Sequence, residues 1–290
     1  MLPFSQGELA GVSEHFLRDL FDDPEGAVTP RRSAETRDGY IERIIRGGFP
    51  LALARTTEAA RGRWFDDYLQ LTQERDVAEL ANLRRRAVMP RFIECLAGQT
   101  AQVLNVSAVA EATGLDWNTG ELYLKLLESV FLVQRLPAWG TTLKARATSK
   151  PKIHVLDSGV AARLLRVTPR RLAGRDPAAL TELGHLLETF VVGEIRKQAS
   201  WMDGVAGLGH WRTSDGDEVD LIIERDDGAI VAIEVKAGSR VTGGDLKSLE
   251  KLRDAIGPRF AAGAALYLGE RSYTYSDRVH VLPVARIWAR

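Results

Sequence analysis

Cysteine is nearly absent from this sequence of 290 residues, which contains only Cys95. A single thiol excludes an internal disulfide and any zinc site built from several cysteines. Such sparse cysteine usage fits a reducing compartment, so we expect a cytoplasmic protein. The first residues, MLPFSQGELAG, lack the basic stretch and apolar run of a signal peptide.

The sequence also lacks an excess of charge of either sign. Lys and Arg total 39, Asp and Glu total 39, and the formal net charge is zero. Any surface for nucleic acid must therefore be local rather than spread over the whole chain. No run of about 18 uncharged apolar residues is present, so we expect no membrane span and no membrane partner.

What is present is typical of a soluble globular protein. Apolar residues make up 45% of the chain and charged residues 27%. These proportions predict packed cores rather than disorder, and the length suggests two or three domains. Residues 1–100 alternate apolar and charged positions mostly at helical spacing, so we predict a helical region there.

Residues 101–160 predict a winged helix-turn-helix domain. Ser107 can cap a first helix that ends at Gly114, and a second helix is expected over 118–129. Two apolar strands are expected next, at 131–136 and 152–156. This order is typical of DNA-binding winged helices. A helix pair packed on a hairpin without a role in DNA binding fits the same pattern.

The segment after the second of these strands begins with a turn and continues with many arginines. Asp157 precedes Ser158 and Gly159, which is typical of a turn or a helix cap. Residues 161–175 contain five arginines, and we interpret 161–180 as an arginine-rich linker with a solvated face. A contact between these arginines and phosphate is the alternative.

Residues 181–290 predict an α/β domain with a mixed central sheet, which makes the whole chain α+β. The pattern gives the order α-β-β-β-α-β. The expected helices cover 182–200 and 243–256, and the expected strands cover 208–213, 218–224, 230–236 and 262–268, followed by an apolar run at 279–288.

Charged residues occupy alternate positions of two neighbouring strands. Glu218 and Asp220 share a face of one strand, and Glu234 and Lys236 share a face of the next. The residues between them form a continuous apolar face. We therefore expect the apolar face to be buried and the charges to collect on the other side of the sheet.

The turn between these strands determines which charges lie side by side. A two-residue loop would place Asp220 opposite Val235, on conflicting faces. A three-residue loop, 226–228, ends at Gly228, where such hairpins require a left-handed residue. This loop predicts a register in which Asp220 lies beside Glu234, with Cβ atoms about 5 Å apart.

Two adjacent carboxylates repel each other unless a cation lies between them. Hard oxygen ligands favour Mg²⁺, with Mn²⁺ as a substitute. Such an ion can polarise a phosphate and lower the pKa of bound water. Lys236 could orient the attacking water or neutralise the negative charge that develops on the phosphorane. Glu188 of the preceding helix could reach the site as an additional carboxylate. The alternative is a salt-bridged sheet face without catalysis.

The segments Glu-Val-Asp and Glu-Val-Lys, with the preceding helix, resemble the PD-(D/E)xK nuclease superfamily over residues 181–290. The resemblance implies that Asp220 and Glu234 are metal ligands and that the carbonyl of Val235 adds another. It also implies that Lys236 is the catalytic lysine. The leading hypothesis is therefore a DNA-associated protein with a winged helix and a nuclease-like domain, for which we expect Mg²⁺-dependent phosphodiester hydrolysis.

Further motifs resemble the C-terminal half of prokaryotic AAA-type ATP-binding proteins that carry a C-terminal domain of unknown function. They are LPFSQGEL (2–9), GGFP (47–50), RWFDDYL (63–69), PKIHVLDSGV (151–160), LLETFVVGEI (186–195) and WRTSDGDEVDLII (211–223). The resemblance implies that residues 1–100 contain a remnant of the end of an ATPase core, followed by helices.

The P-loop pattern G-x-x-x-x-G-K-[ST] is absent from the sequence. We therefore expect no ATP site in this chain and no ATPase activity of the chain alone. The resemblance implies a truncated gene product, a split gene whose P-loop ATPase is a separate partner chain, or a mis-set start codon. The alternative function is a non-catalytic module that binds DNA or an ATPase through a degenerate nuclease fold.

Overall fold

The computed structural model describes residues 2–77, 86–140, 142 and 150–289. The N-terminal part is helical, as the sequence predicts. Its helices are α1 (Gln6–Ala10), α2 (Phe16–Asp22), α3 (Arg37–Arg46), α4 (Pro50–Leu53), α5 (Glu58–Leu71) and α6 (Met89–Ala97), with a π-helical turn at Thr72–Val77 and a 3₁₀ turn at Arg86–Val88. Residues 78–85 of the predicted helical region lie outside the described residues.

A helix pair and a small antiparallel sheet follow. The elements are β1 (Gln102–Val103), α7 (Val106–Ala112), α8 (Trp117–Ser129), β2 (Val133–Leu136) and β3 (Lys152–Val155), and the strand order is β1-β3-β2. Gly114 has φ +68° in the turn between the helices. The cap of α7 is Asn105 rather than Ser107, because the Asn105 side chain accepts a hydrogen bond from the Ala108 amide at 3.1 Å. Most of the predicted wing loop lies outside the described residues.

The arginine-rich segment differs from the predicted linker. It forms α9 (Ser158–Leu164) and α10 (Pro169–Leu172). The apolar positions between the arginines are buried against neighbouring helices, namely Ala161, Ala162, Val167 and Leu172. Arg163 and Arg166 remain at the surface and pair with Asp66 and Glu94. Asp157 caps α9, as its position predicts, by accepting a hydrogen bond from the Val160 amide at 3.0 Å.

The C-terminal part contains a mixed six-stranded sheet, which confirms the α+β class. Its elements are α11 (Pro177–Trp201), β4 (Val205–Arg212), β5 (Glu218–Arg225), β6 (Ile230–Lys236), α12 (Gly243–Ile256), β7 (Phe260–Tyr267), β8 (Tyr273–Ser276) and β9 (Val279–Pro283), with 3₁₀ turns at Gly257–Arg259 and Val284–Ile287. The strand order is β4-β5-β6-β7-β9-β8, with β6, β7 and β9 parallel. The last apolar run predicted from the sequence, residues 279–288, therefore begins as β9. This strand pairs with β8 in a hairpin and with β7 on its other side.

Both faces of this sheet are buried, which corrects the expectation of one apolar and one charged face. Leu221 and Ile233 belong to the larger apolar cluster. Val219 and Ile222 belong to a second cluster beneath α12, although the sequence pattern places them on opposite faces. A register shift in the pairing of β4 with β5, next to His210, interrupts the alternation. The charges consequently gather at one end of β5 and β6.

The N-terminal residues are joined to α11 by buried polar contacts. Lys197 Nζ donates to Glu194 Oε1 at 2.6 Å and to the Phe4 carbonyl at 2.9 Å. The Gln6 amide donates to Glu194 Oε2 at 2.7 Å. One apolar cluster extends from Phe16 through the helix pair to the sheet. The domain boundaries expected from the sequence therefore do not separate independent apolar cores.

Helix α11 is 25 residues long. Within the described ranges, no helix has both the length and the apolar character needed to span a membrane.

Candidate functional site

The hairpin of β5 and β6 has the register that the sequence predicts. Leu221 pairs with Ile233, and Glu224 pairs with Ile230. The Gly228 amide donates to the Arg225 carbonyl at 2.8 Å, and Gly228 has φ +83°. The observed pairs end at Leu221 and Ile233; the same register extended by one position opposes Asp220 to Glu234, and the amide of Val235, next to Glu234, contacts the Asp220 carboxylate.

Asp220 and Glu234 are both buried, at 8% and 7% exposure. Asp220 Oδ2 accepts a hydrogen bond from the Val235 amide at 2.9 Å, which fixes the carboxylate across the two strands. Lys236 Nζ donates to Glu234 Oε1 at 2.7 Å. The second oxygen, Glu234 Oε2, is buried without a hydrogen-bond partner in the described part of the chain.

Glu188 of α11 reaches the same place, as the sequence predicts. It lies in the middle of the 25-residue helix, on the side that packs against the sheet, and is 9% exposed. Glu188, Asp220, Glu234, Val235 and Lys236 are thus brought together from one helix and two strands.

Lys152 of β3 is the residue that sequence analysis did not identify. Its side chain is 2% exposed, and Nζ lies 2.8 Å from Glu188 Oε1 and 2.9 Å from Asp220 Oδ1. Glu218 Oε1 is the third partner, at 2.6 Å. The only signal in the sequence is a lysine at the start of an apolar strand, and no local rule connects it with carboxylates at other places in the chain.

The charges in this cluster do not balance. When all are ionised, the five carboxylates of the cluster outnumber its three cations by two: the carboxylates are Glu188, Glu218, Asp220, Glu234 and Asp245, and the cations are Lys152, Lys236 and Arg212. Buried charge without a counter-ion is strongly unfavourable. The cluster must therefore hold protons or bind a further cation.

Burial, together with this excess of negative charge, shifts the pKa values of the cluster. Burial raises the pKa of Glu234 to about 8; the Asp220 carboxylate adds to the rise, and Lys236 opposes it. Burial and the Asp220 carboxylate also hold the pKa of Glu188 well above its usual range. Burial alone would lower the pKa of Lys152, but its three carboxylate partners outweigh burial and raise it. Lys152 is therefore a permanent ammonium, and the two glutamates retain protons more readily than usual.

The segment that leads out of β2 lies along the outer edge of the sheet, beside the cluster. The His210 amide donates to the Pro137 carbonyl at 2.9 Å, and the Trp139 amide donates to the His210 carbonyl at 2.6 Å. Trp139 Nε1 donates to Glu224 Oε2 at 2.9 Å. Residues 137–139 therefore attach the hairpin of β2 and β3 to β4.

A divalent cation would suit the oxygen ligands at this place. The unpartnered Glu234 Oε2 and the excess of two negative charges are features that a divalent ion would satisfy. Among the residues that the structure describes, however, no three His, Cys, Asp or Glu side chains are grouped as a metal site. The oxygens of Glu188, Glu218 and Asp220 instead converge on the ammonium of Lys152.

Comparison with known proteins gives two family matches. Residues 37–171 match the model of a domain of unknown function, DUF8612. Residues 183–287 match the model of another domain of unknown function, DUF4143. The second match contains Glu188, Asp220 and Glu234.

Two curated relatives come from mycobacteria. They are "Uncharacterized protein Rv2008c" of Mycobacterium tuberculosis and "Uncharacterized protein Mb2031c" of Mycobacterium bovis. Each is 28% identical over 244 residues, which cover 84% of this chain and 52% of the relative. The chain therefore spans about half the length of the curated relatives it matches.

Proposed function

We propose that the carboxylate cluster is a metal-dependent phosphodiesterase site in a cytoplasmic, DNA-associated protein with a PD-(D/E)xK nuclease-like domain. The observation that carries the proposal is the buried pair Asp220 and Glu234 beside Lys236, in which one Glu234 oxygen has no partner among the residues that the structure describes. Mg²⁺ is the expected ion and Mn²⁺ its substitute, because all the ligands are hard oxygens.

Asp220, Glu234 and Glu188 would hold the ion, and the carbonyl of Val235 is the further ligand implied by the resemblance. When bound, the ion would polarise a phosphodiester and lower the pKa of a water molecule. The Val235 amide keeps the Asp220 carboxylate across the strand ends. Lys236, whose Nζ lies 2.7 Å from Glu234 Oε1, would orient a water molecule or neutralise negative charge on the phosphate.

A second candidate is a non-catalytic module that binds DNA or a separate P-loop ATPase chain. The observation that favours it is Lys152, whose ammonium occupies the centre of the cluster. Helix α8 presents the exposed side chains of Trp117 and Leu122, and such apolar groups suit a protein partner as well as nucleic acid.

Cleavage of labelled single-stranded and double-stranded DNA and RNA in Mg²⁺ or Mn²⁺ tests the first candidate. The wild-type protein should cut at least one of these substrates, and EDTA should stop the reaction. Glu234→Ala and Lys236→Ala should each reduce the rate by about 100-fold or more, because each removes a group that acts on the transition state. Glu111→Ala, at an exposed helical position, is the matched control.

Circular dichroism must show that the inactive variants are folded. Cleavage that Glu234→Ala and Lys236→Ala retain would refute the assigned site. Thermal unfolding separates the two candidates: at about 100 times its dissociation constant, a bound cation stabilises the folded state by about 2.7 kcal/mol. Asp220→Asn should abolish this gain. A wild-type protein that neither cuts nor gains stability from Mn²⁺ would support the non-catalytic module.

A further inference from the structure

We propose that Lys152 is the resident counter-ion of the carboxylate cluster and that a divalent cation must displace it. The hairpin of β2 and β3 would then control whether the cluster can bind metal. This inference rests on the proposed function in one respect, namely that the cluster binds a divalent cation. It names the group that competes with the cation, and it assigns a role to a residue outside the nuclease-like domain.

The geometry of Lys152 is that of a fully satisfied ammonium. A lysine ammonium has three protons to donate, and Nζ lies within 3 Å of three carboxylates, those of Glu188, Glu218 and Asp220. The side chain is almost fully buried, so these carboxylates, not water, provide its polar contacts. Lys152 therefore serves as the positive charge around which the carboxylates are arranged.

The same oxygens cannot serve both cations at once. Glu188 Oε1 and Asp220 Oδ1 are held by the ammonium, and they belong to the residues expected to bind metal. A divalent ion at about 2 Å from these oxygens would lie so close to Nζ that the repulsion in a buried site would be large. Metal binding through these oxygens thus requires the ammonium to leave.

The backbone of Lys152 has little freedom to move alone. It belongs to the central strand of the small sheet, where it pairs with Val103 on one side and Leu136 on the other. The hairpin itself is attached to β4 through Trp139 and His210. Withdrawal of Nζ therefore needs either a new side-chain conformation or a shift of the whole hairpin away from the sheet.

Mn²⁺ affinity tests the inference without any activity assay. Free Mn²⁺ is measured by electron paramagnetic resonance during titration of the wild-type protein and of Lys152→Met, which preserves length and apolar contacts but removes the charge. Lys152→Met should bind Mn²⁺ with a dissociation constant lower by about tenfold or more, a common size for coupling between two ligands. Lys152→Arg and Lys150→Met should stay within about twofold of wild type.

An unchanged or weaker affinity of Lys152→Met would overturn the proposal. The variant could require Mn²⁺ to fold, since removing the ammonium leaves buried carboxylates without a counter-ion. Mn²⁺-dependent folding, followed by circular dichroism, is then the expected result. A variant that stays unfolded in saturating Mn²⁺ would refute the inference, because no divalent cation then replaces the ammonium.

Failure of this inference and failure of the proposed function give different results. If Lys152→Met binds Mn²⁺ more tightly but cuts no nucleic acid, the counter-ion role stands and phosphodiester hydrolysis does not. If the wild-type protein cuts nucleic acid while Lys152→Met has unchanged affinity, the phosphodiesterase stands and Lys152 does not compete with the metal.

Discussion

Replacing Glu234 with glutamine should change how the stability of the protein depends on pH. Glu234 is 7% exposed, and burial raises its pKa from 4.5 to about 8, with a further contribution from Asp220. Between these two values the folded protein keeps the proton that the unfolded chain releases. The free energy of unfolding that this group contributes is therefore fully present below 4.5 and is lost as the pH rises through about 8.

The magnitude follows from the width of this window. Each pH unit in which one proton is bound only by the folded state changes the free energy of unfolding by about 1.4 kcal/mol. Over the interval from 4.5 to about 8, the loss reaches about 5 kcal/mol as an upper value. Lys152 and Lys236 do not contribute in this interval, because the pKa of each is raised above an ordinary value of 10.5.

Glutamine resembles the protonated form of Glu234 and cannot ionise. Glu234→Gln should therefore match wild type near pH 5 and should be more stable by several kcal/mol, at most about 5, near pH 9. Urea unfolding followed by tryptophan fluorescence, in EDTA and at one-unit pH steps, measures the difference. The exposed Glu111→Gln is the control.

The difference between variant and wild type is the quantity to examine, because buried histidines act in the opposite direction. Burial lowers the pKa of His154 and of His210, so their contribution to stability is fully present above 6.5 and is lost as the pH falls from 6.5 toward their lowered pKa values. These contributions cancel when the two proteins are compared at the same pH. A difference that stays constant from pH 5 to pH 9 would refute the assignment of a retained proton to Glu234.

Three predictions concern the junction between α3, α9 and α11, and urea unfolding measures each of them. Asp157→Ala should cost about 2–4 kcal/mol, because the Gly48 and Val160 amides lose their buried acceptor, whereas Asp157→Asn should cost less. Gly47→Ala should cost about 2 kcal/mol or more, because Gly47 has φ +63° and an added Cβ would lie 2.2 Å from Asp157 Oδ1. The control is Gly11→Ala, which should cost less, because Gly11 has φ +66° but its Cβ would meet no atom of the described residues within 4 Å. Lys197→Met should cost about 3–5 kcal/mol by leaving the buried Glu194 carboxylate without its cation, and equal stability of this variant and wild type would contradict the buried pair.

The hairpin that sets the candidate site could be predicted because its determinants are local. The three-residue loop and Gly228 specify the turn, and face alternation selects the same register, which places Asp220 beside Glu234. The bounds of β6 and α12 agree with the sequence pattern for the same reason.

The burial of both sheet faces could not be predicted from alternation alone. The shift in pairing next to His210 moves Val219 to the face of Ile222. Such a shift depends on how the neighbouring strand pairs, and β4 also contacts residues 137–139 of the preceding hairpin. The arginine-rich segment forms helices rather than the predicted linker, because the apolar residues between its arginines are buried and anchor α9 and α10.

Lys152 could not be predicted because its partners lie far away in the sequence. It is separated from Glu188 by 36 positions and from Asp220 by 68. Sequence patterns indicate which strand carries the lysine, but only the packing of the small sheet against α11 and β5 brings Nζ among the carboxylates. The predicted metal-binding role of Asp220 and Glu234 stays a prediction.

The most direct measurement is the position of Mn²⁺ in crystals of the wild-type protein and of Lys152→Met, located by anomalous diffraction. We predict a peak about 2 Å from carboxylate oxygens of Asp220 and Glu234, stronger in the variant than in wild type. Crystals of both proteins without a peak at this place, at Mn²⁺ concentrations that fill other sites, would contradict the metal-dependent phosphodiesterase.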